Sequence, residues 1–194
     1  DYMEALIDVL LSDNMNITDY LQARWILDEF DNLNDWTVEA GTWSADGVAH
    51  QTDTTAGGKK IKYTGGNVFP ADFFFEYRAK ALLNENQHMT IYFRIQAVGT
   101  NMYEVTLDPY NNLVEVWRSV NGTWTQLATA TKTMVLDTFY KAKVDQRDEG
   151  ANWRIKVYFE NETTPCINYL ESPRSHSAAG SLKVASYNQV AGPK

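Results

Sequence analysis

The sequence predicts an all-β protein, an antiparallel two-sheet sandwich carrying one short α-helix at its N-terminus. Most of the 194-residue chain alternates apolar and polar residues with a period of two, the pattern of strands with one dry face. Turn residues (Gly, Asn, Asp, Pro) separate these runs at roughly the 8–12-residue spacing of sandwich folds. Only residues 2–12 show a helical period instead.

In that first stretch Met3, Leu6, Ile7 and Leu10 form an apolar stripe, and Asp1 with Glu4 matches a capping box. So short a helix is unstable alone in water, so the stripe is expected to dock on the domain, a second copy or a partner chain. Residues 1–22 are read as this helix and its polar connection, and residues 23–194 as the sandwich. WILDEFDN (Trp25 to Asn32) opens the sandwich, and DWTVEAGTWSADGVAHQ follows with a turn at Ala45-Asp46-Gly47. Thr52 to Lys60 reads as a loop, Ile61 to Thr64 as a short strand, and Phe73 to Ala81 as a long one with Phe73, Phe75, Tyr77 and Ala79 inward.

The centre of the chain is a meander: His88 to Ala97, Met102 to Tyr110 and Leu113 to Val120. Met89, Ile91, Phe93 and Ile95 are expected to face the core, and His88, Thr90, Tyr92, Arg94 and Gln96 to face away from it. Asn121-Gly122 is a strong hairpin signal, since both residues accept positive φ, and it leads into Thr123 to Thr131. Phe139 to Arg147, the run after Gly150, Cys166 to Ser172 and Ser181 to Tyr187 complete about twelve strands.

A net charge of −8 and the absence of any Lys/Arg run argue against nucleic acid as a partner. Cys166 is the single cysteine, which excludes an intrachain disulfide and a cysteine zinc site. No apolar run is long enough to span a membrane as a helix. The chain begins at Asp1, consistent with processing or a boundary in a longer protein. Sequons at Asn16, Asn121 and Asn161 mark candidate glycosylation sites and point modestly to an extracellular, cell-surface or virion-surface location.

Several motifs resemble the concanavalin A-like (laminin G-like) jelly rolls, most of all their carbohydrate-binding branch. They are the Trp36-Thr37-Val38 strand with Gly41, Trp43, Asp46 and Gly47, the IYFR strand, Gly122/Trp124/Leu127/Ala128, Phe139 to Val144, and Gly180 to Val184. The likeness runs over about residues 25–190 and implies a jelly-roll sandwich that binds poly- or oligosaccharides without cleaving them. Members usually end with a further strand that pairs with the first. Here the chain stops at ASYNQVAGPK, leaving either a shortened strand or an open edge that invites another chain. The alternative reading is therefore a structural subunit of an appendage, filament or virion that assembles through residues 2–12 or this edge.

Sugar sites on sandwiches combine aromatic faces with groups that bond hydroxyls. The meander's outward face offers Tyr92, Arg94, Gln96, Glu104 and Trp117 for this, against the plainer reading of a solvated sheet with cross-strand ion pairs. Asp28 and Asp31 lie in an acidic stretch suited to a structural Ca2+ but without EF-hand spacing; no other cofactor is expected. Catalysis has no positive signal. The E-x-D-x-x-E strand of many jelly-roll glucanases is missing, and Glu76, Glu104 and Glu115 serve equally as surface charge. No G-x-S-x-G elbow or H-E-x-x-H pair occurs. Cys166 reads as a small core residue.

Overall fold

Strand alternation decides the architecture, which a computed structural model describes for residues 30, 32–52, 57–64, 72–81, 87–96, 100–176 and 180–188. Thirteen strands run in chain order: β1 (Trp36–Ala40), β2 (Trp43–Ala45), β3 (Ala49–Gln51), β4 (Gly57–Tyr63), β5 (Phe73–Ala79), β6 (Gln87–Ile95), β7 (Met102–Asp108), β8 (Leu113–Val120), β9 (Thr123–Thr131), β10 (Tyr140–Glu149), β11 (Asn152–Phe159), β12 (Ile167–Glu171) and β13 (Ser181–Asn188). They form a seven-stranded sheet, β1-β4-β13-β6-β7-β8-β9, a four-stranded sheet, β12-β11-β10-β5, and the small β2-β3 hairpin. Every strand pairing is antiparallel. This is the predicted all-β two-sheet sandwich. Among the described residues there is no helix; the expected N-terminal helix and the residue 22/23 boundary lie outside them.

The core lies between the two large sheets. Met89, Ile91 and Phe93 of β6 with Val105 and Leu107 of β7 meet Val144 of β10 and Trp153, Ile155 and Val157 of β11. Each contributes on the order of 1.5–3 kcal/mol by leaving water. The Asn121-Gly122 turn takes φ of 49° and 82°, as the hairpin signal anticipated, and fixes β8 against β9.

One expectation needs correction here. β4 begins at Gly57, so Gly57 to Lys60 are strand rather than loop; they pair with Asn188, Tyr187, Ser186 and Ala185 of β13. Glycines and lysines hid a strand specified by its partners more than by its own propensity. At the C-terminus, β13 is inserted between β4 and β6 and ends at Asn188, and β1 pairs only with β4 among the described strands; residues 189–191 of the expected shortened last strand lie outside the described residues.

Candidate functional site

The register of the seven-stranded sheet brings one outward row together: Lys62 of β4, Lys183 of β13, Tyr92 of β6, Glu104 of β7, Trp117 of β8 and Gln126 of β9 lie side by side. The convergence expected of Tyr92, Glu104 and Trp117 is therefore present as direct cross-strand neighbours. The adjoining row carries Thr90, Thr106 and Glu115, and the row on the other side Met102, Ser119 and Trp124.

Hydrogen bonds hold this face in shape. The Thr90 and Thr106 hydroxyls lie 2.9 Å apart, and Thr106 donates to Glu104 Oε1 at 2.6 Å. Gln126 Nε2 donates to Glu115 Oε1 at 2.6 Å. Toward one end Asp108 accepts from the Asn111 backbone N–H at 3.0 Å and from its side-chain amide at 2.7 Å, with His88 Nε2 3.4 Å away. The face has an apolar floor, because Tyr92, Ile95, Met102 and Ala185 form a second buried cluster apart from the main core. Tyr92 is only 1% exposed, with the Trp124 ring at 6.0 Å and the Lys60 ammonium at 5.5 Å from its centroid. Trp124 is 42% exposed, Gln126 is exposed, and Trp117 and Glu104 are half-buried. The accessible part of the patch thus sits over β7, β8 and β9, with Tyr92 beneath it.

Arg94 is not on this face. Its φ of 52° and the register shift between β6 and β13 mark a bulge that adds a residue to β6. The extra residue turns Arg94 inward and Ile95 outward, reversing the expected alternation. Arg94 is 0% exposed, with its guanidinium 4.1 Å from the Trp153 ring centroid and 5.5 Å from that of Phe73. Burial lowers its pKa to about 10, which leaves it charged at neutral pH. Gln96 stands at the end of β6, its side-chain amide donating to the Arg94 carbonyl at 3.0 Å, outside the aromatic row.

The same inter-sheet end holds a second polar group. Tyr103 donates its hydroxyl to Glu171 Oε2, while Arg118 and Ser175 donate to Glu171 Oε1, each at 2.8 Å. Burial, then the Glu171 carboxylate, raises the Tyr103 pKa well above the usual phenol value. His176 stacks on Tyr103 at 4.5 Å, and burial pushes its pKa down to about 4. These groups join the sheets from inside and do not belong to the outward patch.

The remaining candidates separate. Glu76 lies on the other sheet, opposite Lys143, and so is remote from Glu104 and Glu115. Cys166 packs partly buried against the core, its thiol donating to the Val157 carbonyl at 3.2 Å, and burial raises its pKa. The candidate calcium residues Asp28 and Asp31 and the sequon at Asn16 lie outside the described residues. Asn121 and Asn161 are exposed. Among the described residues no group of three or more His, Cys, Asp or Glu is arranged to hold a metal, and no helix is long and apolar enough to cross a membrane. Trp124 is the site residue missing from the expected set. Its signal was its place in TWTQLATAT, where it shares a parity with Gln126 and, across the Asn121-Gly122 turn, faces Ser119.

The fold so defined is the concanavalin A-like jelly roll. Searches with the sequence matched neither a protein-family profile nor a curated protein. Solved structures do match. The chain is similar to a Bacillus subtilis carbohydrate-binding module, CBM66, at 20% identity and TM-score 0.61, over 81% of this chain and 90% of that one. It is similar to a Bacillus licheniformis beta-glucanase at 12% identity and TM-score 0.60, over 83% of each chain. It also resembles the exoplasmic/lumenal domain of VIP36, in a Ca2+/Man2-bound form, at 13% identity and TM-score 0.56, over 85% and 80% of the two chains.

Proposed function

We propose that this chain binds a poly- or oligosaccharide, without cleaving it, on the outward face of its seven-stranded sheet and outside the cell. The observation that carries the reading is the in-register run Glu104, Trp117 and Gln126 with Trp124 one row away. Two half-open indoles offer faces for sugar rings, and a carboxylate and an amide beside them offer the acceptors and donors that hydroxyls need. Saccharide-related names among the structural neighbours support the same reading, one of them a carbohydrate-binding module. Exposed sequons at Asn121 and Asn161 support the location.

Binding without hydrolysis is favoured by how the face's carboxylates are engaged. Glu104 accepts from Thr106, and Glu115 accepts from Gln126. The test is an array of neutral glycans that includes a β-glucan and a mannan, probed with the intact chain and with Trp117→Ala. The expected result is saturable binding to one glycan class, weakened in the variant, with no reducing ends released. Release of reducing sugar, or equal binding by the variant, overturns the proposal.

A further inference from the structure

The four-stranded sheet gathers cations on its outer face. Along β10, Lys141, Lys143 and Arg147 alternate with the buried Ala142, Val144 and Gln146; β11 adds Arg154 and Lys156, and β5 adds Arg78. Register places Lys141 opposite Arg78 and Arg147 opposite Arg154. Like charges directly opposite on neighbouring strands are destabilising, so the fold tolerates a cost here. Carboxylates relieve part of it: Glu76 lies 3.7 Å from Lys141, Asp145 2.7 Å from Arg147, and Glu149 2.9 Å from Arg154. Among the described residues, no ion pair engages Arg78, Lys143 or Lys156. The Lys143 ammonium stands between two rings, 5.7 Å from Phe74 and 5.4 Å from Tyr158, which hold it without neutralising it. All this occurs in a chain of net charge −8.

We propose that this face is a second binding surface, for a linear acidic polysaccharide of the uronate type, engaged by Arg78, Lys143 and Lys156. Charge complementarity selects an anion, and the spacing of charge selects its kind. Duplex nucleic acid carries a charge every ~1.7 Å and would set phosphates against the interleaved Glu76 and Asp145, whereas a uronate chain carries one carboxylate per sugar and can pass between them. A lipid surface would call for apolar residues to insert, and Leu170 is the large exposed apolar residue that β12 contributes here. This proposal is independent of the neutral-glycan site, which lies on the other sheet.

Polygalacturonate is the probe, titrated onto the full chain by biolayer interferometry. We expect saturable binding that weakens about tenfold between about 50 and about 300 mM salt, as an exposed charge contact should. The triple variant Arg78→Gln, Lys143→Gln, Lys156→Gln should lose about tenfold or more at low salt, while Trp117→Ala binds as the parent does. Circular dichroism of the triple variant confirms its fold. Absence of binding at low salt, a triple variant that binds like the parent, loss in Trp117→Ala, or tighter binding to a DNA duplex or to phosphatidylserine vesicles would each overturn the proposal.

Discussion

The Arg94 guanidinium packs over the Trp153 ring, 4.1 Å from its centroid, and so joins β6 of one sheet to β11 of the other from inside the sandwich. The contact exists because a bulge at a positive φ turned an expected surface residue inward. Arg174 approaches the Trp153 ring as well, at 4.6 Å, and is itself bound to Asp148 at 2.9 Å.

Arg94 is therefore expected to govern stability and not sugar affinity. Arg94→Ala should lower the unfolding free energy by about 3 kcal/mol, through the cavity and the lost cation–π contacts. Urea denaturation measures this. A change below about 0.5 kcal/mol, the range of surface substitutions, would mean the interior placement is wrong.

Gly180 reports on the same bulge. A Cβ built there would come within 2.4 Å of the Arg94 carbonyl carbon and 2.6 Å of the Ile95 backbone nitrogen and oxygen. Backbone cannot yield as a flexible side chain does, so Gly180→Ala should cost about 2–3 kcal/mol and disturb β6 against β13. Chemical shifts of Arg94 and Ile95 should move with it; an alanine variant as stable as the parent would contradict this close approach.

His176 supplies the pH dependence. Its folded pKa is depressed to about 4 by burial, with Arg94 and Arg118 acting in the same direction and Glu171 opposing them. The unfolded chain then binds the proton first as pH falls. The contribution is complete above the unfolded value of about 6.5 and is lost as pH drops from there through about 4. Stability measured across this window should fall, and His176→Phe should flatten the part due to this ring. An unchanged slope in the variant would assign the dependence to other groups.

Trp124 should separate binding from folding. With 42% of its surface exposed, Trp124→Ala should cost at most about 1 kcal/mol of stability. Loss of a stacking indole should nevertheless weaken glycan affinity roughly tenfold. Paired unfolding and titration experiments distinguish the two effects, and a variant that loses both in proportion would make Trp124 a core residue.

Much of the sandwich was legible because strands with one dry face write a period of two into the sequence, as in Met89-Thr90-Ile91-Tyr92-Phe93. The row Tyr92, Glu104, Trp117 was legible for the same reason, once short turns limited the possible registers. Arg94 was not, since an inserted residue inverts the alternation beyond it and leaves no mark in residue type. The basic face was equally hidden. Arg78, Lys143 and Lys156 are widely separated along the chain, and only the pairing of β5, β10 and β11 brings them to one surface.

Saccharide binding on the seven-stranded sheet is the central claim, and the indole N–H resonances test it most directly. The intact chain would be titrated with the glycan that the neutral array selects while 1H–15N spectra are recorded. Trp117 and Trp124 should shift in a saturable manner, while Trp36 and Trp153, buried in the core, stay fixed. Saturable binding that leaves the Trp117 and Trp124 resonances unmoved would place the site elsewhere and contradict the account.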